Sequence, residues 1–212
     1  GMLETIREFG LEQLADAGEV ETVRGAHLAW FLASAEVLNS GDWPTVYREL
    51  DRIERELPNF RVALAWTEQI EDARGGLRLA QSLHPLWHLR SHRLEGRGWL
   101  ERALARDGGE PSVERAAALV DLGEIEHIYG NAALGARYRI QGLELARSLD
   151  HRRTIVLALA FLADTAVDAG DTEQANQLLS EIEPWGADSD NWIDVPGFVR
   201  YIRGMLARQA GD

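Results

Sequence analysis

Apolar residues recur along the chain three and four positions apart, the spacing that keeps them on one face of a helix. Over 22–38 the stripe is Leu28, Phe31, Ala35 and Leu38, and over 132–149 it is Leu134, Tyr138, Leu145 and Leu149. No stretch alternates apolar and polar residues for long enough to make a strand, so the pattern predicts an all-α protein. Pro44, Pro58 and Pro196 stand where helices begin, because proline's fixed φ and missing N–H suit a first turn. Gly41-Asp42, Gly108-Gly109, Gly130-Asn131 and Gly170-Asp171 interrupt the stripes as tight helix-to-helix turns do. These marks predict about eleven helices, over 2–17, 20–39, 43–56, 58–70, 74–90, 94–106, 112–129, 132–149, 152–169, 172–183 and 196–210. Short connections make consecutive helices antiparallel neighbours. The exception is the acidic loop 184–195, which carries Trp185 and Trp192.

A longer period lies over the helical one. The turns at Ser91-His92, Gly130-Asn131, Gly170-Asp171 and Gly211-Asp212 are 39, 40 and 41 residues apart. A two-helix unit repeated every ~40 residues is the mark of a solenoid, in which stacking covers the apolar face that each unit leaves open. Leu122-Gly123 stands upstream of the Gly130 turn, and the small Ala175 follows Gly170-Asp171.

This arrangement resembles the tetratricopeptide repeat (TPR) in its longer form. The segments MLETIREFGLEQLADAGE at 2–19, NFRVALAW at 59–66, GLRLA at 76–80 and EGRGWLERALA at 95–105 narrow the resemblance. They are similar to the helical-repeat part of STAND-type bacterial transcriptional regulators of the LuxR-type or AfsR-like kind. Nearly the whole chain is covered. It departs from the pattern at Gly135 and Gly142, and at His84, where Gly or Ala is usual. The resemblance implies a right-handed α-α superhelix of TPR-like antiparallel helix pairs. It also implies a division of the chain. Residues 1–19 would hold a linker helix that follows an NTPase and winged-helix part, and Gly1 before Met2 reads, from the residues themselves, as a tag remnant. Residues 20–212 would then be the repeat domain, expected to be cut in mid-repeat at Gly211-Asp212.

Composition changes the picture mainly by exclusion. All 22 basic residues are Arg, against 35 Asp and Glu, giving a net charge of −13. Without Lys there is no Walker A or Schiff-base lysine, and without Cys there is no thiol nucleophile, disulfide or CxxC zinc site. The charge argues against nucleic-acid binding by this fragment alone, since duplex binding rests on neutralising phosphates. No apolar run reaches the ~18 residues of a membrane span, and no signal peptide opens the chain. The expectation is a cytoplasmic protein that uses no cofactor and is not an enzyme.

Several constellations bear on chemistry. His84, His88 and His92 at i, i+4 and i+8 could present three imidazoles on one face, a zinc-like spacing, but Pro85 interrupts them and packing or groove polarity is the better reading. Glu124-x-x-His127 is half of a di-iron motif without its second copy. Asp188-Ser189-Asp190 begins like a calcium loop but lacks its Gly and closing Glu. Hence no metal is expected. Trp30, Trp66, Trp87 and Trp99 are expected in the core, Trp43 at a helix start, and the 17 acidic residues of 107–194 mostly on a solvated face.

The resemblance further implies that the first helix of each pair lines a concave groove. Carried over residue by residue, the groove positions are Arg78, Gln81, His88, Glu124, His127, Asp164, Asp168, Tyr201 and Arg208. The function implied is a sensor domain. It takes a protein partner or a small-molecule inducer and acts on the NTPase and DNA-binding parts of its parent chain. A general protein–protein scaffold is the alternative. Phe198, Tyr201, Ile202, Met205 and Leu206 would make the last helix an apolar edge prone to self-association.

Overall fold

In the structure, a computed structural model, residues 4–39, 43–184 and 195–210 are described. Every regular element among them is helical. α1 (Glu4–Ala17), α2 (Val20–Glu36), α3 (Trp43–Arg55) and α4 (Leu57–Gln69) are followed by α5 (Ala73–Ser82), α6 (His84–Leu89) and α7 (Arg93–Arg106). α8 (Val113–Ile128), α9 (Ala132–Ser148), α10 (Arg152–Asp168), α11 (Thr172–Ile182) and α12 (Val195–Ala210) complete the chain. A 3-10 turn, Val37–Asn39, extends α2. The expected superhelix of antiparallel helix pairs is the fold.

The helix ends explain the recurrence of the turns. Besides α6 at Ser91 and α7 at Gly108, five helices close with a residue at positive φ, namely Gly18, Glu71, Gly130, Asp150 and Gly170. In each case the next residue returns its N–H to a carbonyl five positions back, as Asn131 does to Glu126 O at 2.9 Å and Asp171 to Ala166 O at 2.8 Å. That six-to-one bond is the Schellman closure, which ends a helix and reverses the chain within one turn. Asp171 then caps α11 by accepting from Gln174 N at 2.9 Å, and Asp72 caps α5 by accepting from Gly75 N at 2.9 Å.

Two rows result. α2, α5, α8, α10 and α12 lie side by side, each against the next, and their partners α4, α7, α9 and α11 pack behind them. α3 and α6 are additional helices, one within each of the first two pairs, and they pack on each other. The core is in two parts. Phe31, Leu50, Phe60, Leu77 and Trp87 anchor the first half, and Val120, Leu143, Leu159, Leu179 and Ile202 the second.

α8 and α9 approach closely because glycines face each other. A Cβ on Gly135 would lie 2.6 Å from Gly123 O, and one on Gly142 would lie 2.8 Å from Ala116 O. The buried face of α9 is therefore Gly135, Arg139, Gly142, Leu143 and Ala146. This corrects the expected stripe, since Leu134, Tyr138, Leu145 and Leu149 are only partly covered.

Other expectations also change. The helix expected over 74–90 is two helices, which brings the described count to twelve. Pro85 offers no N–H, α5 ends at Ser82, and the Trp87 indole donates to Ala80 O at 2.8 Å. Trp66 and Trp87 are buried as expected, and Trp99 is half-buried under the Arg102 guanidinium, 4.1 Å from its ring. Trp30 is not core; it is 56% exposed. Among the acidic residues, Asp121, Glu124 and Glu126 are buried rather than solvated. On α12, Ile202 is fully buried and Phe198, Met205 and Leu206 pack against the second core, leaving Tyr201 as the exposed member of that face. No described helix is long and apolar enough to cross a membrane. Gly1, Met2, Gly41-Asp42, Trp185, Asp188-Ser189-Asp190, Trp192 and Gly211-Asp212 lie outside the described residues, as does the side chain of Trp43.

Candidate functional site

The first-row helices place a line of ionisable side chains along the stack. On α8, Asp121 and Glu124 are three positions apart and so share a face, and His127 follows three positions later. On α10, Arg153, Asp164 and Asp168 fall on one stripe with Leu157 and Phe161 by the same spacing. α5 contributes Arg78 and Gln81, and α6 contributes His84 and His88.

The centre of the line is an acid–imidazole cluster between α6 and α8. His84 Nδ1 lies 3.3 Å from Asp121 Oδ1, and its Nε2 lies 3.2 Å from Glu124 Oε2. His88 Nδ1 lies 3.1 Å from Glu124 Oε1, and the two imidazoles stack with centroids 5.9 Å apart. Both carboxylates are nearly excluded from solvent. Burial alone would lower the His84 pKa, but Asp121 and Glu124 outweigh it and push the value up to about 9. Burial pushes Asp121 up to about 6 even though His84 and Arg153 oppose the shift. Burial would raise Glu124 too, but His84, His88 and Arg139 hold it below the usual carboxylate range. His88, desolvated and next to a cationic His84, is driven down and stays neutral near pH 7.

The glycine contact between α8 and α9 lets a cation through from behind. Arg139, 1% exposed, donates from Nη1 to Phe161 O at 2.7 Å and to Thr165 Oγ1, and its guanidinium lies 5.1 Å from the Phe161 ring. Burial pushes its pKa down to about 10 against the fields of Glu124, Asp164 and Asp168. Beyond it, His127 Nε2 lies 3.1 Å from Asp168 Oδ2. His127, Asp164 and Asp168 each bring one potential ligand atom within 4.8 Å of the others, which is the donor set that could hold a metal ion. The Asp164 pKa is raised by burial and by Asp168, and a cation would relieve that strain, whereas Arg139 next to it already supplies part of the positive charge.

The residues expected to line the groove are thus distributed as follows. His88 and Glu124 meet in the central cluster. His127, Asp164 and Asp168 meet one turn further along. Glu124 and His127, three apart in sequence, serve different neighbours and do not form a half-site together. Arg78 pairs with Glu36 of α2, and Gln81 lines the adjacent cleft. Tyr201 stacks on Phe198 with centroids 6.1 Å apart, and Arg208 is exposed in the last turn of α12; neither joins the clusters. The imidazole triplet is corrected to a pair, because α6 ends at Leu89 and the turn at Ser91, with its positive φ, carries His92 away to Glu54, at 3.2 Å.

Asp121, Arg139 and Arg153 were not among the expected positions. Asp121 could have been found, since it stands one helical turn before Glu124. Arg153 has a similar signal, four positions before Leu157. Arg139 has none, because its reach depends on Gly123 of another helix, against which its side chain packs.

The fold and this wall define an all-α helical-repeat protein with a partly buried, mixed-charge surface along its first helices. Against known proteins, the chain is 32% identical over 166 residues to proteins named "Putative HTH-type transcriptional regulator" from Mycobacterium bovis and from two strains of Mycobacterium tuberculosis. The match takes in 74% of this chain and 19% of each relative, so the chain spans about a fifth of their length. No protein-family profile matches the chain, and no solved structure matches it.

Proposed function

We propose that this chain is the helical-repeat regulatory module of a longer transcriptional regulator, of the TPR-like, STAND or LuxR-type kind. In this reading the first-row wall receives a small inducer or a protein partner in the cytoplasm, and the module passes the event to NTPase and DNA-binding parts elsewhere in the parent chain. The module itself carries out no catalytic step, requires no cofactor and does not hold nucleic acid. The observation that carries the reading is the line of buried ionisable groups across α6, α8 and α10. A purely structural face would favour apolar residues there, because each buried charge costs several kcal/mol unless it is paired. The similarity to proteins named as transcriptional regulators supports the regulatory part. A ligand that binds the wall can switch the parent only by binding two states of it with different affinity.

The test uses the full-length parent and a transcriptional reporter. Replacing Glu124 and His127 with Ala together should abolish the response to inducing conditions while protein level and melting temperature remain sufficient for a folded protein. An unaltered response in a folded variant would refute the assignment of the wall.

A further inference from the structure

Beside the central cluster lies a cleft of about 220 Å³ between α2, α5, α8 and α10. It is smaller than the ~300–1,000 Å³ of sites for drug-sized molecules, and it is built rather than incidental. Asp121 lines it with a side chain 8% exposed, and the Oδ2 atom of that residue is buried without a hydrogen bond. A buried acceptor left in this state lowers stability unless something donates to it. Arg153 lines the same cleft from α10, held by a hydrogen bond from Nη1 to Asn39 O at 3.1 Å.

The remaining charges are already matched. Glu36 pairs with Arg78, and Glu114 pairs with Arg74 at 3.2 Å. What is left is Asp121, whose Oδ1 faces His84 and whose Oδ2 has no donor, and Arg153, which line a common space. Burial raises the Asp121 pKa against the fields of His84 and Arg153 and lowers that of Arg153 against the field of Asp121, so the two groups do not neutralise each other in full. Between them Ala117, Val120 and Leu157 supply an apolar strip. Neither a simple anion nor a simple cation satisfies both groups, and an uncharged solute leaves the electrostatic demand unmet. A molecule with an ammonium and a carboxylate on one carbon does satisfy both.

We propose that this cleft binds a free α-amino acid with an aliphatic side chain, its ammonium donating to Asp121 and its carboxylate accepting from Arg153. The aliphatic group then covers the strip of Ala117, Val120 and Leu157. The proposal rests on the reading of the first-row wall as the binding surface and names the ligand class for it.

Isothermal titration of the 212-residue chain with L-leucine and L-valine tests it, with L-leucinamide and 4-methylpentanoate as probes lacking one charge each. The expected result is saturable one-to-one binding of an amino acid in the micromolar to low-millimolar range, with both single-charge probes at least tenfold weaker. Asp121→Asn and Arg153→Gln should each weaken binding at least tenfold. Ala117→Leu, which fills the cleft and removes no charge, should abolish binding with the melting temperature retained. Absence of binding by both amino acids at 10 mM, equal binding of either single-charge probe, or full binding by a folded Ala117→Leu variant would overturn the proposal. The transcriptional reading stands apart from this test. If an amino acid binds as expected but a reporter driven by the full-length parent ignores it, the regulatory assignment fails and the site remains.

Discussion

Nε2 of His84 lies 3.2 Å from Oε2 of Glu124, so a buried acid–imidazole pair ties α6 to α8 at the point where Pro85 has broken the regular helix. The pair stands at the centre of the wall. Its protonation also links the stability of the whole stack to pH.

His84 titrates near 9 in the folded protein and near 6.5 when exposed. Its contribution is therefore complete below about pH 6.5 and is lost as pH rises through about 9, an effect of at most about 3 kcal/mol. Asp121 acts with the same sign in a lower window. Its folded pKa of about 6 exceeds the unfolded 3.8, so the unfolded chain releases that proton first and stability declines between those values. Urea unfolding from pH 5 to 10 should show the midpoint falling between pH 6.5 and 9, and His84→Gln should remove that limb. A fall of the same size in the variant would contradict the assignment.

The α8–α9 contact predicts opposite outcomes for two similar substitutions. Gly135→Ala would place a methyl group 2.6 Å from Gly123 O, and the helices must separate. This should destabilise the protein by about 1–3 kcal/mol or more. Gly25→Ala on α2 meets nothing within 4 Å and should stabilise it by up to ~1 kcal/mol through helix propensity. Thermal melting distinguishes them directly.

Arg139 is the cation that makes the acidic half of the wall tolerable. Arg139→Met keeps the volume and removes the charge, leaving Glu124, Asp164 and Asp168 less compensated. Removing one member of such a buried set typically costs ~3–5 kcal/mol. Adding Asp164→Asn to that variant should recover part of the loss, because it removes one of the uncompensated carboxylates. A double-mutant cycle of denaturant melts measures the recovery, and strict additivity would show that the two residues do not interact.

The extent to which these features were legible varies with their physical origin. Helix positions followed from local chemistry: Gly130-Asn131 and Gly170-Asp171 end helices by closing Schellman turns, and that signal sits in the residues themselves. The stripe on α9 was misread because Leu134, Tyr138, Leu145 and Leu149 carry the apolar weight, whereas the actual contact is made by Gly135 and Gly142, whose role is the absence of a side chain. Trp30 was misplaced for the converse reason. Its size suggested burial, but it sits on the solvent side of α2, 56% exposed. His84 departs from the repeat pattern and shares helical spacing with His88 and His92, but its partners Asp121 and Glu124 lie some forty residues away on another helix. Local spacing groups His84 with His92 as well, and only the end of α6 at Leu89 separates them.

The central claim is that the first-row wall, and not the row behind it, responds when the parent regulator is switched. Hydrogen–deuterium exchange on the full-length parent, with and without inducing conditions, tests this most directly. The account predicts changed protection in peptides covering His84–Leu89, Val113–Ile128 and Arg152–Asp168, with α7, α9 and α11 unchanged. Changes confined to α7, α9 and α11 would contradict it.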